Sequence, residues 1–502
     1  MDISPSFEEF ERRHVSGKPV LISTDLIADL DTPVSAMMKL ADGQPMSFLF
    51  ESVEGGERIG RYSIIGMRPD LIWRCFRNEA QINRHALDNP TAFEKQNKPA
   101  LDCLRVLLTE CRVENNGKLP PMASGLFGYL GYSTVGLIEH LPDNNPDKLD
   151  IPDGILVRPT IVCIFDNVFG TVTVVTPVWP GATTARDAYD AACGRLAAVM
   201  GDLDKTLPAR HTGEEVPVPL GAPQGNMTRE QCLAMVETAK EYIRAGEIFQ
   251  VVPSMRFTVP FTLHPFALYR ALRRLNPSPF LFYLNYGDFT VVGSSPEIMV
   301  RLRDSKVEIR PLAGTRRRGK NPEEDRQLEE ELLADPKERA EHLMLLDLAR
   351  NDVGRVAKIG SVHVADQFVI ERYSHVMHIC SHVEGTIDPK YDAIDALLAG
   401  FPAGTLSGAP KVRAMEIIDE LEPERRNLYG GAIGYFSGDG SMDTCIVLRT
   451  AVVKDGKMIV QAGCGVVADS NPAAEHQEIH DKARALLRAA EDAVRFAGDT
   501  KS

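Results

Sequence analysis

Between residues 157 and 178 apolar and β-branched side chains are dense, broken by a short polar stretch. VRPTIVCIFDNVFGTVTVVTPV gives two β-rich runs around Asp166-Asn167, which predicts a hairpin. The spacing turns helical from Ala185 to about Met200. A second helix follows Thr228, whose side chain caps REQCLAMVETAKEYIRAGE and whose pattern ends near Gly246. Beyond it the pattern predicts strands at 290–293, 307–309, 445–453 and 458–462, and helices at 322–333, 336–352, 409–421 and 472–496. Strands and helices mix without a regular βαβ period, so the expected class is α+β, built on large antiparallel sheets with helices outside. Residues 204–225 are rich in proline, glycine and charge and read as a linker or exposed crossover. This divides the chain into 1–205, a linker at 206–226, and 227–502.

At 502 residues the chain exceeds one ordinary domain, so two domains or one large layered body is expected. A net charge of −14 argues against nucleic acid or acidic lipid as partner, because both need a positive surface. It leaves room for an anionic small molecule held in a local positive pocket. The nine cysteines show no CxxC and read as reduced thiols. With an acidic start lacking an apolar signal core, and no run of roughly 18 apolar residues, the expected place is the cytoplasm, away from membranes.

Candidate chemistry gathers in the second half. In DSNPAAEHQEIHDKAR, 469–484, Glu475, Glu478 and Lys482 share one helix face. Two acids and a lysine there suit a hard divalent cation and an anionic ligand, or else a solvated salt pair. QAGCGVV, just upstream, is strand-like, and its glycines permit close backbone approach. In 338–356, Glu341 begins a helical stretch whose Leu343, Leu346 and Leu348 can face a core. Its carboxylate could join Glu478 on magnesium, or stabilise the helix N-terminus. His375, His378 and His382 have tempting spacing in ERYSHVMHICSHVEG, but a strand sends 375 and 378 to opposite faces, and no cysteine pair or HExxH accompanies them. Zinc is not indicated; one histidine as acid/base or a buried structural histidine remain. GTLSGAPK, 404–411, lacks phosphate-loop spacing yet offers hydroxyls, backbone donors and a helix start to an anion. Arg449, inside the apolar CIVLRTAVV, reads as a charge in a central strand that needs an anionic partner.

The ordered motifs GEIFQVVPS, NPSPFLFY, GSSPEIMV, PLAGTRRRG, DLARND, FPAGTLSGAPK, YGGAIGY and QAGCGVV, followed by ExxExxxK, resemble those of the chorismate-utilising enzymes, and within them the anthranilate-forming branch. The resemblance implies two subdomains on antiparallel sheets with a cleft between them. It implies Mg2+ on Glu341 and Glu478, holding the ring carboxylate of chorismate. Tyr429, Arg449 and the backbone of Gly463, Cys464 and Gly465 would hold the enolpyruvyl carboxylate, and Gly314, Thr315, Thr405 and Lys482 would complete the pocket. Glu297 would protonate the departing ring hydroxyl, and His378 would assist proton movement as pyruvate is eliminated. FLFES, with Glu51 and Ser52, and NPSPF, with Pro279 and Phe280 followed by Leu281, would form a site for tryptophan as feedback inhibitor.

Two positions separate members of the family. Isochorismate-forming members carry a lysine where this chain has Gln250, and aminodeoxychorismate-forming members carry one where it has Ala313. An alanine can serve neither as nucleophile nor as adduct-forming amine. Ammonia as nucleophile and anthranilate as product are therefore implied. No glutamine-hydrolysing motif is seen, so the implied partner is a separate glutamine amidotransferase subunit. The alternatives are aminodeoxychorismate formation and a non-catalytic, tryptophan-binding regulatory subunit.

Overall fold

The computed structural model describes residues 2–41, 43–54, 58–115, 119–207, 219–373 and 376–499. Two long strands organise it, Tyr62–Phe76 and Gly154–Asp166, paired antiparallel. Towards its end Gly154–Asp166 turns through the expected hairpin into Thr171–Val178, which pairs with Val20–Ile27. At its start it pairs instead with Gly125–Leu130, which leads into Ala432–Ser437, Met442–Ile446 and Ile298–Arg303. Tyr62–Phe76 also pairs with Ser47–Glu51, and from there the ladder runs through Phe280–Asn285, Phe289–Ser295, Thr450–Lys454, Lys457–Gly463 and Ser254–Pro260. The two ladders are joined through the long pair into one continuous sheet folded on itself. Its layers are the first sheet (Ser47–Glu51 to Ser254–Pro260) and the second (Gly125–Leu130 to Ile298–Arg303), and residues before 205 and after 227 share both.

The buried side chains sort into layers. Phe48, Phe282, Leu284 and Val452 from one sheet meet Phe127, Ile433 and Cys445 from the other in one apolar layer. The outer face of the first sheet is covered by helices that include Arg229–Arg244, Pro265–Leu275 and Pro472–Asp499. The outer face of the second is covered by Ala100–Glu110, Pro336–Gly354 and Ala393–Gly400. Helix, sheet, sheet, helix is the arrangement that suits strands buried on both faces, as Gly125–Leu130 and Phe289–Ser295 are along their whole length.

Helix ends follow local chemistry. Thr228 and Gln231 form a reciprocal capping box, and Asp335 caps Pro336–Gly354 by accepting from the backbone of Lys337 and Glu338. Three expectations are corrected. The run 445–453 is not one strand: it breaks between Met442–Ile446 and Thr450–Lys454, with Arg449 at φ +48°. Apolar side chains flank the break because each half is buried, in a different sheet. Glu341 lies in the second turn of its helix rather than at its start, so the dipole-stabilising acid is Glu338. Leu343 is 53% exposed while Leu346 is buried, so only part of the apolar set faces the core. The segment 206–226 lies largely outside the described residues; its end, Gln224–Gly225, pairs with Ser254–Pro260. His375 also lies outside them.

Candidate active site

The chain crosses from one sheet to the other twice at the same place. Phe289–Ser295 belongs to the first sheet and Ile298–Arg303 to the second, so Glu297 sits in the crossing. Met442–Ile446 and Thr450–Lys454 cross back, with Arg449 between them. The crossings are bonded together: Ile446 N–H donates to the Glu297 carbonyl at 3.0 Å, and Ser294 N–H to the Arg449 carbonyl at 3.1 Å. A glutamate and an arginine therefore end up near one another inside the sandwich.

Glu297 is buried, and burial raises its carboxyl to about 8 despite the Thr405 hydroxyl and the charges of Arg449 and Lys482. Near neutral pH it holds its proton. Thr405 donates to its two oxygens at 3.3 and 3.4 Å, from the short 3-10 turn Gly404–Leu406. Burial has the opposite effect on His378, which it lowers to about 4, with Arg449 and Lys482 adding repulsion. His378 Nδ1 lies 2.9 Å from Thr315 Oγ1 and 3.3 Å from the Gly314 carbonyl oxygen. A carbonyl can only accept, so Nδ1 carries the hydrogen and the neutral ring keeps Nε2 as an acceptor. Arg449 and Lys482 act on both Glu297 and His378, which puts these four groups around one space.

Arg449 is partly buried, and among the described residues its guanidinium makes no hydrogen bond or ion pair. It is shaped to wait for an anion. Tyr429 stands in a loop fixed by Arg426, which is paired with Glu422 at 2.7 Å and donates to the Leu406 carbonyl at 2.6 Å. The Tyr429 hydroxyl lies against Gly463. Cys464 is fully buried, and its N–H already donates to the Pro253 carbonyl at 3.1 Å. At Gly465 a Cβ would meet the Gln250 amide nitrogen at 2.7 Å, so a larger residue there would displace that side chain.

Lys482 links this space to a second one. Its Nζ donates to the Gly463 carbonyl at 2.9 Å and pairs with Glu478 at 2.7 Å. Glu341 faces it from the helix Pro336–Gly354; burial raises its carboxyl, and Glu338 and Glu478 push it further. Glu475 is raised by burial and by Glu478. Gly314, at φ +78°, leaves room for the Glu338 carboxylate, which a Cβ would meet at 3.2 Å. The charges of Glu338 and Glu478 thus reach Glu341, and that of Glu478 reaches Glu475, which brings the acids of two Glu-x-x-Glu pairs, 338/341 and 475/478, near one another from two helices. That donor set, all carboxylate oxygen, fits Mg2+. Glu338 was not among the sequence-derived candidates; the repeated spacing of two acids ahead of one face is the signal that would have found it.

The tryptophan candidates also come together. Leu281 pairs with Glu51 across adjacent strands. Glu51, Ser52, Pro279, Phe280 and Leu281 line a cavity of about 770 Å³ between the sheets. Pro296 and Tyr373 line it as well, one beside Glu297 and the other packed against the His378 ring, whereas Glu341, Glu478 and Lys482 do not.

Residues 49–488 match the family model described as chorismate binding enzyme. The chain belongs to that family. It is 58% identical to anthranilate synthase component 1 of Cereibacter sphaeroides over 98% of each chain. The corresponding Aquifex aeolicus protein is 44% identical over 98% of each. The crystal structure of anthranilate synthase component I from Streptococcus pneumoniae superposes with a TM-score of 0.75 at 34% identity, over 85% of this chain and 92% of that one. The menaquinone-specific isochorismate synthase of Escherichia coli shares the fold, with a TM-score of 0.70 at 20% identity over 97% and 98%. The family found is the one the ordered motifs resemble. No helix among the described residues is long and apolar enough to cross a membrane.

Proposed function

We propose that the chain converts chorismate and ammonia into anthranilate, pyruvate and water, as the chorismate-binding component of a two-component enzyme in the cytoplasm. The observation that carries this reading is the pairing of a proton-holding Glu297 with a neutral His378 beside two cations. Two titratable groups pushed in opposite directions by one buried site can serve as acid and base in a single turnover.

In this reading Arg449 and the Tyr429–Gly463 corner hold the enolpyruvyl carboxylate. Glu297, oriented by Thr405, gives its proton to the ring hydroxyl, which leaves as water while ammonia adds to the ring and returns a proton to the Glu297 carboxylate. His378 Nε2 then accepts a ring proton as enolpyruvate departs to become pyruvate. Glu341 and Glu478 would hold Mg2+, with Glu338 and Glu475 behind them; when bound it neutralises the ring carboxylate and fixes the ring. Gln250, buried and donating to Glu341 at 3.4 Å, offers no base to activate water, which favours ammonia. The ammonia would come from a glutamine amidotransferase partner, and tryptophan in the 770 Å³ cavity would inhibit by feedback.

The test supplies chorismate, ammonium and Mg2+ to the isolated chain. Anthranilate fluorescence with one pyruvate per turnover is expected, and glutamine alone should give neither. A product that keeps its enolpyruvyl group would mean aminodeoxychorismate formation; absence of turnover would mean a binding subunit.

A further inference from the structure

We propose that Glu308, His363, His382 and Glu384 form a binding site for a zinc-like transition-metal dication, separate from the carboxylate cluster. His378, His382 and Glu384 share one face of the strand Val376–Thr386, because side chains alternate along it. Six residues put Glu384 about 20 Å along the strand from His378. Its neighbours are set by register: Glu308 lies directly opposite Glu384 on one side and His363 directly opposite on the other. One ligand atom from each of Glu308, His382 and Glu384 lies within 4.8 Å of the others. His363 Nε2 is 2.8 Å from Glu384 Oε1, and His382 Nε2 is 3.7 Å from Glu308 Oε2.

The imidazoles carry the argument. His363 Nδ1 lies 3.1 Å from the Ser361 carbonyl oxygen, which can only accept, so Nδ1 holds the hydrogen. In the neutral ring, Nε2 then points a lone pair at a carboxylate oxygen 2.8 Å away. Two acceptors at that distance repel unless a cation joins them, a proton or a metal. His382 offers the second imidazole. Its Nδ1 faces the Asp366 carboxylate at 3.9 Å, and its Nε2 is buried with no hydrogen-bond partner. At 3.9 Å the Asp366 carboxylate is too far to hydrogen-bond the ring, so it is the inward turn of Nε2, 3.7 Å from Glu308, that offers a ligand atom. Two imidazoles and two carboxylates suit Zn2+ rather than Mg2+, and bonds near 2.0–2.1 Å would draw the ligand atoms to about 3.4 Å apart. The nearby cations do not close the site. Lys306, 3.1 Å from Glu384 Oε1, is more than half exposed and able to swing away; Arg301 stands 3.7 Å from Glu308, and Arg303, paired with Asp443, also acts on Glu308.

The full-length chain, stripped of metal and held in excess Mg2+ to saturate the carboxylate cluster, is titrated with Co2+ and then Zn2+. One equivalent of Co2+ giving the intense visible bands of tetrahedral coordination, discharged by Zn2+, is the expected result. Affinity should fall more than roughly tenfold in H382A and in E384Q, with folding checked by circular dichroism. The rival is the helical pair His476 and His480, whose Nε2 atoms are 3.2 Å apart. The double variant H476A/H480A should bind Co2+ as the parent does. No stoichiometric tetrahedral signal, unchanged affinity in H382A, or loss only in the 476/480 variant would overturn the assignment.

Discussion

Thr405 donates its hydroxyl to both oxygens of Glu297, at 3.3 and 3.4 Å, across 108 residues of sequence. That contact orients a carboxyl that burial keeps protonated up to about pH 8. E297Q should lower kcat for anthranilate formation by about 10²–10⁴-fold, the usual worth of a positioned acid. The pH dependence of stability gives an independent check. Between the ordinary value of 4.5 and about 8 the folded chain holds a proton that the unfolded chain has released, so wild-type stability falls as pH rises through this window. E297Q lacks that loss, and its Tm relative to wild type should rise from pH 5 to pH 8. A flat difference would mean that the carboxylate ionises freely.

His378 has the reverse linkage. Its folded value of about 4 lies below the ordinary 6.5, so its contribution is complete above pH 6.5 and is lost as pH falls towards 4. H378Q should remove that acid-side loss of Tm and slow turnover. The acid limb of the wild-type kcat profile should then show no step near 6.5 from this residue. A step there that disappears in H378Q would show the ring titrating normally.

The carboxylate cluster predicts graded metal dependence. E341Q should raise the Mg2+ concentration for half-maximal fluorescence the most. E338Q, whose side chain pairs with Arg316 at 2.9 Å, should raise it by roughly 10–100-fold, as expected of a group that acts through the ligands. Equal insensitivity of both variants to Mg2+ would remove the metal from this site.

Ser52 and Phe280 line the large cavity without lining the carboxylate cluster. S52A and F280A should each raise the tryptophan concentration for half inhibition by roughly tenfold, a loss of about 1.4 kcal/mol, with kcat for chorismate nearly unchanged. Glu51 is different. Tyr269 donates to it, and Arg273 pairs with it at 2.8 Å, so E51Q should also lower Tm. Inhibition unaltered in S52A and F280A would place the inhibitor elsewhere.

The sequence showed the helices carrying Glu341 and Glu478, because caps and 3.6-residue spacing are local signals. It did not show the break at Arg449. Apolar residues flank a sheet-to-sheet crossing as densely as they fill one strand, and only pairing with Ser294 and Glu297 reveals the crossing. Glu338 escaped for a related reason: an acid in the first turn of a helix reads as dipole stabilisation until a second helix brings Glu478 opposite. The neighbours of His382 were equally hidden, since Glu308 and Glu384 meet through register rather than spacing.

The DLARND and GAPK motifs meet in a contact with no titratable partner in the proposed chemistry. Lys411 Nζ pairs with Asp352 at 3.0 Å, and the side chains are only 8% and 5% exposed. The pair clamps the start of Lys411–Leu421, which follows the Thr405 turn, onto the helix that carries Glu341. Removing one partner leaves the other charge buried, so K411M should cost about 3–5 kcal/mol in denaturant unfolding. The double change K411M/D352L buries no charge and should recover most of that stability. If the clamp also sets the distance from Thr405 to Glu297, the double variant will regain its fold while kcat stays depressed; full recovery of both would confine Lys411 and Asp352 to stability.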